Sequence, residues 1–186
     1  YEISCSLVGS EMCIRDSSEA IPNMKRNDKM SVQAVREYLA RFGVDGRIQE
    51  FTESSATVEL AAAVVGVIPA RIAKTLSFKD GDGAMLLVAA GDAKVDNRKF
   101  KDTFGFKAKM LSAGDELELV GHPVGGVCPF ALKDGVKVYL DVSLQRFDTV
   151  FPAAGSSSSA VELSCDELFE CSGAEKWIDV CKLPEA

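Results

Sequence analysis

Apolar and polar positions fall into short blocks whose period changes every ten residues or so. From Ser31, read as an N-cap, Val32, Val35, Leu39 and Phe42 recur near helical spacing, and Gly43 supplies a stop. Residues 47–51 (RIQEF) predict a short strand, and SSATVELAAAVVGV after it predicts a capped, alanine-rich helix ending at Gly66. Pro69 suits the first turn of another short helix, PARIAKTL, running into a strand around Leu76 to Lys79. The turn cluster KDGDGA followed by the apolar run AMLLVAA predicts a hairpin. DNRKFKDTFG reads as a short basic helix, KAKML as a strand, and SAGDELELVG as a third short helix leading into GHPVGGVCPF, residues 121–130. Beyond it VCPFAL, KVYLDVSL and TVFPA read as strands, the first two joined by the turn Lys133-Asp134-Gly135. AVELS is a further strand, SCDELFECSG a helix with Ser164 and Glu167 at capping-box spacing and Gly173 at its end, and KWIDVC a last strand.

Strands outnumber helices and do not alternate strictly with them, which favours an α+β (mixed α/β) domain over a doubly wound one. There is no internal repeat, and GSSSSA (155–160) is short enough to be a loop rather than a domain boundary. With 186 residues, 47% of them apolar, the chain can bury one core. The balance of 21 basic against 28 acidic residues, a net charge of −7, argues against a generally cationic nucleic-acid coat. Charge is uneven, however: Lys94, Arg98, Lys99, Lys101, Lys107 and Lys109 face only Asp96 and Asp102 in their stretch. That segment is either a phosphate-tracking face or a solvated helix surface. No apolar run approaches the ~20 residues needed to cross a bilayer, so a soluble protein is expected.

The first seventeen residues lack the basic start and apolar core of a secretory signal. Leu7 to Ser17 resembles the conceptual translation of a transposase sequencing adaptor, and Tyr1-Glu2-Ile3 fits that adaptor's outer end. Residues 1–17 are therefore read as an artefactual tail, a native disordered tail being the alternative, and 18–30 as a disordered leader with Met24 or Met30 as the native start. The domain is expected over 31–183. Of the six cysteines, Cys128, Cys165, Cys171 and Cys181 then remain. None forms a Cys-x-x-Cys pair, and with one histidine in the chain they do not make the usual zinc set, so they read as reduced, mostly buried cysteines of a cytoplasmic protein.

GHPVGGVCPF holds the chain's one histidine next to a cysteine, two glycines and two prolines. A Cys128 nucleophile with His122 as base needs the two side chains within hydrogen-bond reach and a third group to orient them, which proximity in sequence does not supply. The motif also lacks the endings of a P-loop or a dinucleotide fold. Backbone chemistry remains: Gly125 and Gly126 can adopt φ values closed to other residues and present main-chain N–H groups to a carbonyl or phosphate, while Pro129 stiffens the exit.

These residues resemble the signature loop of the YbaK/EbsC-type aminoacyl-tRNA deacylases, relatives of the editing domain of bacterial prolyl-tRNA synthetases. ARIAKTLSF (70–78), with Lys74 at the family's lysine, and PAAGSSSSAVEL (152–163) agree, and the likeness runs from about Ser31 to Lys182. It implies a curved, mostly antiparallel mixed sheet surrounded by short helices, and a trans-acting, metal- and cofactor-free hydrolase clearing small amino acids from non-cognate tRNA. The alternative is a non-catalytic module that binds a tRNA end or a synthetase. The implied partners are aminoacyl-tRNA and a synthetase, with no DNA or membrane. Lys74 would hold the 3′-terminal nucleotide, and Gly125 and Gly126 would polarise the ester carbonyl. Thr57, His122, Val127, Pro129, Gly155, Ser156 and Ser157 would line the substrate site, although Thr57 also reads as a plain N-cap. Ala160 stands where some members of the family that clear cysteine from tRNA for proline carry an aspartate, a departure that argues against carrying cysteine specificity over to this chain.

Overall fold

The computed structural model describes residues 31–53 and 57–185. The expected tail, leader and start sites lie outside the described residues, as do Ser54, Ser55 and Ala56.

Helix α1 covers residues 31–40 and buries Val32, Val35 and Leu39, as the spacing predicts. Ser31 is already helical and so is not the N-cap, and Phe42 lies past the helix, 42% exposed and tilted against Tyr38. β1 (Ile48–Glu50) follows, then α2 (Val58–Val65), where the Thr57 hydroxyl accepts from the Leu60 N–H and Gly66 closes the helix in the left-handed region. β2 (Ile72–Asp80) and β3 (Gly83–Ala90) form the expected hairpin, in register from Ala73 opposite Ala90 to Asp80 opposite Gly83. β4 (Lys94–Val95) leads into α3 (Asn97–Phe104), capped by Asp96. α4 (Ala113–Asp115) widens into a π turn, Glu116–Val120.

The second half supplies β5 (Lys137–Asp141), β6 (Thr149–Pro152), β7 (Ser159–Val161), β8 (Leu163–Ser164), α5 (Cys165–Ser172), β9 (Lys176–Ile178) and β10 (Cys181–Lys182). The main sheet has the order β8-β6-β2-β3-β5-β9. Pairs β2–β3 and β6–β8 are antiparallel and β2–β6, β3–β5 and β5–β9 parallel, while antiparallel ribbons β1–β7 and β4–β10 flank the sheet. β3 lies at the centre with Ala84 through Ala90 all buried, which is why it reads as an unbroken apolar run. The architecture is the expected mixed α/β domain. Among the described residues no helix is long and apolar enough to cross a membrane.

Several local readings are corrected. Only Pro69–Arg71 forms a single 3-10 turn, and Ile72 already joins β2, because pairing with β6 and β3 satisfies backbone groups that a short helix would leave open. KAKML is not a strand of the sheet; it touches β2 through one bridge, Phe78 to Met110, and through bonds from Lys79 N to Lys109 O and Leu111 N to Ser77 O. VCPFAL is an irregular buried segment, since Pro129 cannot donate and the Phe130 carbonyl is taken by His122. KVYLDVSL stops at Asp141, whose buried carboxylate accepts from the N–H groups of Ser143, Val180 and Cys181 and so ties the C-terminal end to the sheet. The AVELS and KWIDVC strands are each split in two.

Candidate functional site

A cavity of about 210 Å³ opens at the start of β2, between α2, the 123–127 loop and the 153–160 loop. It exists because the sheet edge is incomplete. β6 pairs with β2 only at Ile72 and Ala73, and the next chain to join that edge is bonded at Ser77 and Lys79. Residues of β2 alternate in the direction of their main-chain bonds, and Ser77 and Lys79 bond outward, away from β3; Thr75, two residues before, shares that direction. Its N–H and C=O therefore face the gap. Its hydroxyl oxygen is also buried, with no hydrogen-bond partner among the described residues.

Lys74 lines the same cavity, half-buried. Its ammonium donates to the carbonyls of Gly91, at 3.1 Å, and Ala93. Burial pushes its pKa below the ordinary lysine value, with Lys94 nearby acting in the same direction and the charges of Asp92 and Glu59 opposing it. The two carbonyls hold a cation without neutralising it, so its field stays available to an anion. Gly91 makes this seat possible: a Cβ there would sit 2.1 Å from the Pro69 carbonyl oxygen and 2.5 Å from a Val58 methyl. Neither Gly91 nor Thr75 stood out in the sequence, though Thr75 is adjacent to Lys74.

The structure brings Thr57, Lys74, Gly125, Val127, Ser156 and Ser157 together around the cavity. Thr57 is both N-cap and wall. Gly125 has a φ of +87°, which favours glycine, and lies 3.3 Å, measured from a built Cβ, from the Ser157 side chain. Four other expected site residues do not line the cavity. The Gly126 N–H donates to the Pro123 carbonyl at 3.0 Å, closing the turn, so it is not presented to a ligand carbonyl as expected. Gly155 faces α1, where a Cβ would meet the Ser31 carbonyl oxygen at 2.7 Å. Pro129 and His122 lie behind the loop rather than in it.

His122 is 2% exposed. Its Nε2 donates to the Phe130 carbonyl at 2.7 Å, which leaves Nδ1 to accept from the Ser31 hydroxyl at 2.9 Å. Burial pushes its pKa down, keeping the ring neutral. The Cys128 sulfur does come within 3.5 Å of Nε2, but the residue is fully buried and its thiol is pushed up to about 12 by that burial. A buried thiol beside a neutral imidazole whose proton is already donated elsewhere is packing, not an activated nucleophile. These groups hold the glycine loop against α1 and the serine loop.

Glu116, at the start of the π turn, also reaches the cavity, and its Oε1 accepts from the buried Ser77 hydroxyl. The sequence reading placed it within a short helix; the turn found there is wider, closed by the Gly121 N–H on the Glu116 carbonyl. Ala160 is part of the wall.

This geometry has relatives. The chain is 56% identical over 154 residues to the uncharacterized protein YwhH of Bacillus subtilis (strain 168), covering 82% of this chain and 98% of YwhH. It is 30% identical over 102 residues to a proline–tRNA ligase of Bacillus pumilus (strain SAFR-032), covering 54% of this chain and 18% of the ligase. A crystal structure described as a candidate trans-editing enzyme for prolyl tRNA synthetase superposes with a TM-score of 0.74 at 27% identity, covering 84% of this chain and 98% of that one. Residues 52–171, which contain β2, the glycine loop and the serine loop, match the family called aminoacyl-tRNA editing domain, and the chain belongs to that family.

Proposed function

We propose that the protein is a trans-acting deacylase that hydrolyses the ester of mischarged aminoacyl-tRNA carrying a small amino acid. The observation that carries this reading is the seated Lys74 ammonium beside the open edge of β2 at Thr75, in a cavity whose wall also includes the small and apolar side chains of Ala61, Val58 and Ala160. Lys74 contacts the phosphate of the tRNA's 3′-terminal nucleotide as a point charge. The ester lies along the Thr75 edge and the Gly125 loop, whose main-chain N–H groups meet the developing oxyanion. Water adds to the ester carbonyl, or a hydroxyl of the substrate adds first and water then opens the new ester so formed; in the direct route the tetrahedral intermediate collapses with cleavage of the bond to the ribose oxygen, which leaves with the proton given up by the water. An aminoacyl ester is activated enough for this without a protein nucleophile or a metal. One oxyanion donor is commonly worth about 2.7–4 kcal/mol, and positioning adds more. The need for such an enzyme is physical: a synthetase separates side chains differing by one methylene by only about 1–3 kcal/mol. The likeness to a proline–tRNA ligase makes tRNA for proline the first substrate to test.

The test is ester hydrolysis across tRNAs charged with alanine, serine, threonine, cysteine and proline, with wild type and Lys74→Ala side by side. One or two mischarged species should be cleaved, with turnover lost at least ~100-fold in the variant, as for loss of a dominant transition-state contact. Near-normal turnover in Lys74→Ala overturns its role. Absence of cleavage with tRNA binding retained makes the protein a binding module.

A further inference from the structure

Resting on the deacylase reading, we infer that Glu116 receives the α-ammonium group of the substrate and restricts the enzyme to esters of free, unacylated amino acids. Among the described residues the cavity has two ionisable side chains in its wall, Lys74 and Glu116, of opposite sign. Lys74 and Ser77 are an odd number of positions apart on β2, so their side chains leave opposite faces of the strand. Glu116 is fixed to Ser77. The cation and the anion thus flank the open edge at Thr75 from opposite sides.

An aminoacyl ester of a nucleotide carries the complementary pair, a phosphate on one side of the ester and an ammonium on the other. The neighbouring charges do not compete for the role. Asp115 is paired with Lys79 at 3.3 Å, and Glu118 is exposed on the other side of the π turn. Among the described residues no lysine or arginine forms an ion pair with Glu116. The Ser77 hydroxyl holds one carboxylate oxygen and leaves the other to accept from a ligand. An N-acylated ester brings a neutral amide and extra bulk to this carboxylate, leaving it unpaired, and a site that loses a charged partner rejects its ligand strongly.

The experiment uses the five charged tRNAs above and their N-acetyl derivatives, with wild type, Glu116→Gln and Ser77→Ala, each first shown to melt cooperatively. Wild type should prefer the free-amine ester by about 100-fold or more, and Glu116→Gln should lose about tenfold in kcat/KM on that ester while gaining on the N-acetyl ester, which no longer leaves a carboxylate unpaired. Ser77→Ala, which frees the carboxylate, should shift the preference in the same direction by less. Full retention of the preference in Glu116→Gln, or equal hydrolysis of both esters by wild type, overturns the assignment. Calorimetry with non-hydrolysable 3′-amide analogues of the five 3′-aminoacyl-adenosine 5′-phosphate ends, free or N-acetylated, separates the two readings. Binding that depends on the free amine and on Glu116, without hydrolysis of any ester, sinks the deacylase and keeps the ammonium site; binding indifferent to both sinks the site alone.

Discussion

Gly126 approaches Gly155 so closely that a Cβ at 126 would lie 2.7 Å from the Gly155 carbonyl oxygen and 2.9 Å from the Ser156 Cα. This contact sets the distance between the two loops that close the cavity. Both obstructing atoms are backbone, so nothing soft can yield. Gly126→Ala should cost about 1–3 kcal/mol, as overpacking does, and should reduce deacylation further than stability explains because the loops part. Gly114, with open space around its Cβ position, is the control: Gly114→Ala should be neutral or slightly stabilising. Denaturant melts and kcat/KM on the two variants check this, and equal behaviour would remove the contact from any functional role.

The buried imidazole gives stability a pH dependence with a definite sign. His122 titrates in the folded protein below its ordinary value of 6.5 because burial disfavours the charged ring. Below pH 6.5 the unfolded chain therefore binds more protons than the folded one, and stability falls as pH drops toward the folded pKa. The same group is neutral in both states above about pH 7.5 and contributes no slope there. The protein should lose stability as pH falls below 6.5, and His122→Gln, although about 1–3 kcal/mol less stable at pH 7.5 through lost buried hydrogen bonds, should lose part of that slope. Turnover measured well below the melting temperature should survive in the variant, since the ring supports the loop from behind. Loss of turnover with an unchanged melt would instead put His122 in the reaction.

What could be read in advance was whatever chemistry stays within a few residues. The Thr57 and Gly66 ends of α2, the Ser164–Glu167 capping box of α5 and the β2–β3 turn are written in local side-chain types, and all are present. Lys74 and the glycine loop were found through resemblance, because a lysine or a Gly-Gly pair alone is compatible with many surroundings. The open edge at Thr75 was not legible: it arises from β6 leaving the sheet two residues into β2, which depends on pairing across almost eighty positions of chain. Glu116 was hidden by a π turn whose sequence reads as a short helix. The assignment of Gly126 as a carbonyl donor failed for a related reason, since which N–H groups a turn presents depends on which it uses to close itself, here on Pro123.

Thr75 offers a test in which stability and function move in opposite directions. Its hydroxyl oxygen is buried without a hydrogen-bond partner among the described residues, a condition that costs about 1–3 kcal/mol of desolvation, while its main-chain groups face the gap in the sheet. Valine has nearly the same shape and no hydroxyl, so Thr75→Val should fold as well as wild type or better, with a higher melting temperature. If the hydroxyl meets the substrate ester or its attacking oxygen, the same substitution should lower kcat/KM by about tenfold, the worth of one ordinary hydrogen bond in a closed site. Thr75→Ser, which keeps the hydroxyl and loses the methyl, should show the reverse: retained turnover on a less stable fold. Parallel melts and single-turnover rates on the three proteins decide the matter. A valine variant that is both more stable and fully active would show that the hydroxyl is an uncompensated cost of the fold and that the edge of β2 binds through its backbone alone.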